Sequence, residues 1–156
     1  MKMAAKTEEE YRLLLEQAAA LIDGEDDWIA NMANISALLF NEMNDVNFAG
    51  VYRFENNELI LGPFQGKPAC VHIALGKGVC GTAAQTQETQ LVPDVHQFAG
   101  HIACDSDSNS EIVVPIFNKN KLWGVLDIDS PKLNNFEPLD QKYLEALTEV
   151  LFAKQN

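Results

Sequence analysis

An α+β fold, with a central antiparallel sheet and helices packed against it, is predicted by three observations. Capped amphipathic segments stand at both ends, short alternating strands fill the middle, and turn residues join those strands as hairpins. Thr7-Glu8-Glu9-Glu10 has the form of a capping box. Tyr11, Leu14, Leu15, Ala18, Leu21 and Ile22 then follow at helical spacing until Gly24, predicting a helix over 8–22. Asp26-Asp27 opens a second helix, whose apolar face carries Trp28, Ile29, Met32, Ile35, Leu38, Leu39 and Met43. Between Asn41 and Val46 the period changes to that of a strand. "VNFAGVYRF", the turn Glu55-Asn56-Asn57-Glu58 and "LILGPF" predict a hairpin.

"PACVHIAL" (68–75) predicts a third strand, and "GKGVCGTAAQTQE" (76–88) a glycine-rich turn feeding a short helix. "TQLVPDV" predicts a fourth strand. The run from His96 to Ser110 is polar and long, and connections of that length usually carry function. "EIVVPIFNKNKLWGVLDID" is the clearest hairpin, and "LDQKYLEALTEVLFAK" after Pro138 predicts a closing helix. With no repeat, low-complexity tract or linker, one domain is expected over residues 1–156.

Composition narrows the function. The chain is 47% hydrophobic and 22% charged, which suits a globular core. Eleven Lys and Arg against 23 Asp and Glu leave a net charge of −12, which repels nucleic acid. The N-terminus has no apolar h-region and no apolar run reaches membrane-spanning length, so neither membrane insertion nor secretion is expected. A cytoplasmic protein is the expectation. Cys70, Cys80 and Cys104 are an odd number, and the cytosol keeps thiols reduced, which argues against a structural disulfide framework.

Cys104 is the unusual cysteine. Free cysteine ordinarily behaves as a small buried hydrophobe. Here it sits in "GHIACDSDSNSE", among small polar residues that bury nothing, which favours a reactive thiol. His96 and His101 would lower its pKa when protonated, whereas Asp105 and Asp107 would raise it if they face the sulfur. A Cys-His hydrolase lacks its flanking signature, and a structural zinc site lacks a CxxC or HxxxH half-site, so no metal is expected. His72, within an apolar strand, reads as a core or edge residue.

The acids are more informative. Asp127 and Asp129 are two apart on a strand and share a face. Two acids on an edge strand would ordinarily be a solvated face. Their partner strand starts with Glu111. A two- or four-residue loop at Lys119-Asn120 pairs Glu111 with Ile128 and separates the acids, whereas a three- or five-residue loop centred on Asn120 pairs Glu111 with Asp129. The second register clusters three carboxylates, raises at least one pKa and keeps a proton available as a general acid. "GKGVCG" is too loose for a P-loop, but amides at a helix N-terminus can hold a small carboxylate.

"FAGHIACDSDSNSEIVVPI", "GVLDIDSP", "GVCGTAA" and "NFAGVYRF" closely resemble the free methionine-(R)-sulfoxide reductases, a branch of the GAF-domain fold, over about residues 10–150. The three cysteines, at 70, 80 and 104, follow that family's spacing. The resemblance implies a GAF-like fold, no bound cofactor or metal, free methionine sulfoxide as substrate and thioredoxin as external reductant. It implies that Cys104 is the nucleophile, Cys70 the main resolving thiol and Cys80 an accessory thiol. Glu111, Asp127 and Asp129 match the acidic substrate positions. Glu111 or Asp129 is expected to supply the acid, Asp127 and Asp129 to meet the substrate's ammonium, and the helix-terminal amides around Gly78 to Gly81, those of Val79 and Cys80 among them, to meet its carboxylate. Phe48 stands where the family usually has Trp against the methyl group, and Ala99 where it usually has Pro. GAF domains often pair through terminal helices, so a homodimer is an expectation. The rival reading is a GAF-type small-molecule or redox sensor without catalysis.

Overall fold

Capping chemistry decides where the helices begin. In the computed structural model, which describes residues 6–100 and 106–153, α1 spans Glu8–Ile22 behind a complete capping box. Glu10 N donates to Thr7 Oγ1 at 3.2 Å, and Thr7 N donates to Glu10 Oε1 at 3.0 Å. Helix α2, Trp28–Glu42, starts where Asp27 Oδ1 accepts from Ala30 N at 3.0 Å. The closing helix α4, Pro138–Val150, has proline in its first turn, where a missing N–H costs nothing. Tyr11 ties the two ends together. Its hydroxyl donates to the buried Asp140 and its ring stacks on Tyr143 at 5.0 Å.

Between these helices lie β1 (Phe48–Glu55), β2 (Glu58–Gly66), β3 (His72–Ala74), the helix α3 (Gly78–Thr86), β4 (Gln90–Val92), β5 (Ser110–Asn118) and β6 (Lys121–Ser130). They form a six-stranded sheet in the order β3-β2-β1-β6-β5-β4, and each neighbouring pair is antiparallel. Asn56-Asn57 and Lys119-Asn120 close the two main hairpins with φ of 54°, 64°, 53° and 64°. Two left-handed residues make the turn whose twist suits paired strands.

The sheet separates two cores. On one face Ile112, Val114, Ile116, Leu126 and Ile128 pack against α1, α2 and α4. On the other, Phe48, Tyr52, Val113 and Val125 pack with Val79, Cys80, Ala83 and Ala84 of α3. The predicted α+β architecture is the observed one.

Several boundaries moved. The third strand covers only His72–Ala74, and Cys70 lies before it in irregular backbone. Pro68 has no N–H to offer a ladder there. The fourth strand is likewise cut to Gln90–Val92. Leu21 and Ile29, assigned to apolar faces, are exposed, because the buried stripes run through Tyr11, Leu14 and Ala18 and through Met32, Ile35 and Leu39. His72 is an edge residue, with Nδ1 3.0 Å from Glu58 Oε1.

The β5–β6 register resolves the loop-length alternatives in a way neither anticipated. The loop has two residues, since Asn118 pairs with Lys121 and Phe117 with Leu122. A bulge follows, so that Ile116 pairs with Gly124, Trp123 is the extra residue, and Glu111 falls opposite Asp129. Trp123 packs on the helical side, 5.3 Å from Trp28 and 5.4 Å from Phe152 between ring centroids. The aromatic contacts hold the bulge in place. Gly124 completes it, because a Cβ there would come within 2.0 Å of Tyr52 O on the neighbouring strand.

Candidate active site

Strand alternation downstream of the bulge puts Glu111, Asp127 and Asp129 on the α3 side of the sheet. Strand β1 runs along the other flank of β6, pairing Phe48 with Asp129, Gly50 with Asp127 and Tyr52 with Val125. Phe48 is buried and stacks on Phe64 at 5.4 Å, forming an apolar wall next to the acids. Gly50 makes room for that wall, since a Cβ there would stand 2.3 Å from Phe64 Cβ.

Helix α3 closes the site from above. Cys80, expected in a turn, sits inside this helix as a buried free thiol, with Sγ 3.8 Å from Glu111 Oε2. The first intrahelical bond runs from Gly81 N to Lys77 O at 2.9 Å, and Gly78 N donates to Gly100 O at 3.0 Å. Of the amides expected to receive a carboxylate, those of Gly78 and Gly81 are therefore already engaged. Val79 and Cys80 stand at the open end of the helix, where amides precede the first helical turn.

Burial dominates the electrostatics. Glu111, Asp127 and Asp129 are only 8%, 5% and 8% exposed. Burial pushes all three carboxyls well above the usual carboxylate range, and the mutual repulsion anticipated from sequence adds to it. Asp129 acts on Glu111, Glu111 on Asp127, and Asp127 on Asp129. Such a cluster titrates as one unit and retains protons that isolated acids would release. Burial also raises the Cys80 thiol, with Asp127 the next cause, so its sulfur rests as a thiol. Oδ1 of Asp127 and Oδ1 of Asp129 are buried without a hydrogen-bond partner. The protons that the cluster retains are shared in hydrogen bonds among Glu111, Asp127, Asp129 and Cys80, and these two oxygens are the acceptors left for a cation or an incoming proton donor.

Three contributors were not anticipated. Ser108 Oγ donates to Asp129 Oδ2 at 3.4 Å and accepts from Asn47 Nδ2 at 3.3 Å, steadying one acid from the loop side. Tyr52 Oη donates to Cys70 O at 2.9 Å. Burial, then Asp127 and Cys80, push its phenol strongly upward, which keeps it a neutral donor. Tyr52 was findable, being in phase with Phe48 on β1; Ser108 and Asn47 had no local signal. Asp107 forms an exposed ion pair with Lys67 of the segment that carries Cys70. His96 Nε2 lies 2.9 Å from Asn109 Oδ1.

Cys70 is disulfide-bonded. Cys104, His101 and Asp105 lie outside the described residues. No helix among the described residues is long and apolar enough to cross a membrane.

The GAF domain family model matches residues 8–151. The free methionine-R-sulfoxide reductase of Escherichia coli is 52% identical over 128 residues, covering 82% of this chain and 78% of that protein. Its namesake in Saccharomyces cerevisiae is 48% identical over 152 residues, covering 92% and 84%. The structure of the Staphylococcus aureus fRMsr in complex with substrate superposes with a TM-score of 0.92 at 52% identity, covering 99% of this chain and 100% of that one.

Proposed function

Because the chain belongs to the GAF-domain family, and within it to the free methionine-R-sulfoxide reductases, we propose that it reduces free L-methionine-(R)-sulfoxide, with Cys104 as nucleophile. The observation that carries this reading is the buried triad of Glu111, Asp127 and Asp129, with two open carboxylate oxygens beside an apolar wall at Phe48. A zwitterionic amino acid answers that arrangement. Its ammonium meets the open oxygens of Asp127 and Asp129, its carboxylate meets the amides of Val79 and Cys80, and its methyl group rests on Phe48. A peptide-bound methionine sulfoxide has neither charge and would leave a buried acid uncompensated.

The chemistry needs an acid next to a thiol. A sulfoxide becomes a good electrophile only when its oxygen is protonated, and Glu111 or Asp129 holds the proton for that step. The Cys104 thiolate attacks the sulfoxide sulfur, the S–O bond breaks and the protonated oxygen leaves as water; water then attacks the Cys104 sulfur of this short-lived adduct, its S–S bond breaks, and methionine leaves with a sulfenic acid left on the enzyme. The Cys70 thiol then displaces that oxygen as water, forming a disulfide. A dithiol such as thioredoxin reduces this disulfide and is itself oxidised. That Cys70 is disulfide-bonded while Cys80 is a free thiol supports Cys70 as the resolving residue and Cys80 as the accessory one. The cycle needs no bound cofactor, and a cytoplasmic setting would supply the reductant. Exposed Leu13, Leu21 and Ile29 on α1 and α2 suit pairing of two copies through the terminal helices.

The test is Cys104→Ser assayed for methionine release from free methionine sulfoxide, with thioredoxin coupled to oxidation of a reduced nicotinamide cofactor. Turnover should vanish, and retained turnover would remove Cys104 from the mechanism. If wild type binds the sulfoxide without consuming reductant, the protein is a sensor instead.

A further inference from the structure

The open acceptors and the buried thiol belong to one cluster, and its composition suits a second ligand besides the amino acid. Cys80, Glu111 and Asp127 are all buried and each presents a ligand atom within 4.8 Å of the other two. The Sγ to Oε2 distance is 3.8 Å. A tetrahedral zinc ion with Zn–S of about 2.3 Å and Zn–O of about 2.1 Å separates its sulfur and oxygen donors by about 3.6 Å. The sulfur–oxygen pair thus stands near zinc spacing, and the remaining donor pairs lie no more than 4.8 Å apart. Asp127 Oδ1 and Asp129 Oδ1 have no hydrogen-bond partner although both residues are more than nine-tenths buried. The net charge of −12 draws cations toward such a site.

We propose that Cys80, Glu111 and Asp127 bind a thiophilic divalent cation of the zinc class, which blocks the site reversibly. One sulfur among oxygen donors selects zinc-like ions over magnesium, which prefers an all-oxygen octahedron. Binding releases the thiol proton and those the two carboxyls hold, forms thiolate–metal and carboxylate–metal bonds, and places a dication where the substrate's ammonium would sit. The ion is then an inhibitor competing with substrate. Binding stands on the geometry alone, whereas the inhibitory role rests on the reductase reading.

The test titrates the reduced protein with Co2+ as a spectroscopic stand-in, follows the thiolate-to-cobalt charge-transfer band, and displaces the cobalt with Zn2+. The band should vanish in Cys80→Ser, require about tenfold or more Co2+ to saturate in Asp127→Asn, and persist in Cys70→Ser. On the wild-type chain Zn2+, but not Mg2+, should shield Cys80 from alkylation, read by peptide mass spectrometry, and should raise KM for free methionine sulfoxide without changing kcat. A band that survives Cys80→Ser, absence of shielding, or equal effects of Mg2+ and Zn2+ overturns the proposal. A Cys80-dependent band in a protein without reductase activity would uphold the metal site and defeat the reductase reading. Activity with no band would do the reverse.

Discussion

Strands β5 and β6 supply both faces of the sheet with alternate residues, and the two faces are built on opposite energetics. Toward α1, α2 and α4 they present Ile112, Val114, Leu126 and Ile128, all buried and apolar. Toward α3 they present Glu111, Asp127 and Asp129, equally buried but ionisable. The first face stabilises the fold by removing apolar surface from water. The second costs stability, because its acids lose hydration and crowd one another. Stability drawn from one face thus supports a costly site one residue away on the other.

The strongest test of this comparison is to move an acid by one position. Ile128→Asp places a carboxylate among aliphatic side chains with no partner, which should cost about 5 kcal/mol or more and leave the chain unfolded in thermal and circular dichroism assays. If the chain tolerates that substitution as readily as it carries Asp127 and Asp129, the faces are not distinct. Next comes Leu126→Ala, expected to lose roughly 2–5 kcal/mol in denaturant titrations through cavity formation. Its turnover per folded molecule should be unchanged.

On the acidic face the signs reverse. Asp129→Asn and Glu111→Gln should lower kcat/KM by roughly 10²–10⁴-fold if either is the acid, while the midpoint of denaturation stays level or rises as buried repulsion is relieved. A destabilised but active Asp129→Asn protein would contradict the division of labour.

A pH titration sharpens the same point. Folding raises these carboxyls from ordinary values of 4.5 for Glu and 3.8 for Asp. The folded chain therefore holds protons that the unfolded chain has already released. Their stabilising contribution is full below the ordinary values and is lost as pH rises toward the raised ones. Stability of wild type relative to the triple variant Glu111→Gln, Asp127→Asn, Asp129→Asn should fall as pH rises above about 4, followed by thermal melts across a pH series. A flat difference would mean that the cluster titrates normally.

The smallest effect belongs outside both faces. The exposed Lys67–Asp107 pair should contribute no more than about 1 kcal/mol. Lys67→Glu would therefore leave Tm nearly unchanged, and a larger loss, restored by Asp107→Lys, would show that the pair locks the two segments.

Much of this was legible in the chain because its causes are local. Thr7 with Glu10, Asp27, and Pro138 name helix starts through groups a few residues apart. Asn56-Asn57 and Lys119-Asn120 name turns through the left-handed backbone they adopt. Asp127 and Asp129 had to share a face because side chains alternate along a strand. Membership of the reductase family was readable too, since it rests on contiguous motifs.

Other decisions were made only in three dimensions. Glu111 joined the two aspartates not through loop length but through a bulge at Trp123, packed against Trp28 of α2 and Phe152 just beyond α4. Cys80 met Glu111 because α3 folds over the sheet, and Tyr52 reached the Cys70 carbonyl across a hairpin. Backbone propensity and periodicity act over a few residues and can be read from them. Register and the closeness of thiol and acid depend on which side chains fill a shared space, and that is settled only when the elements pack.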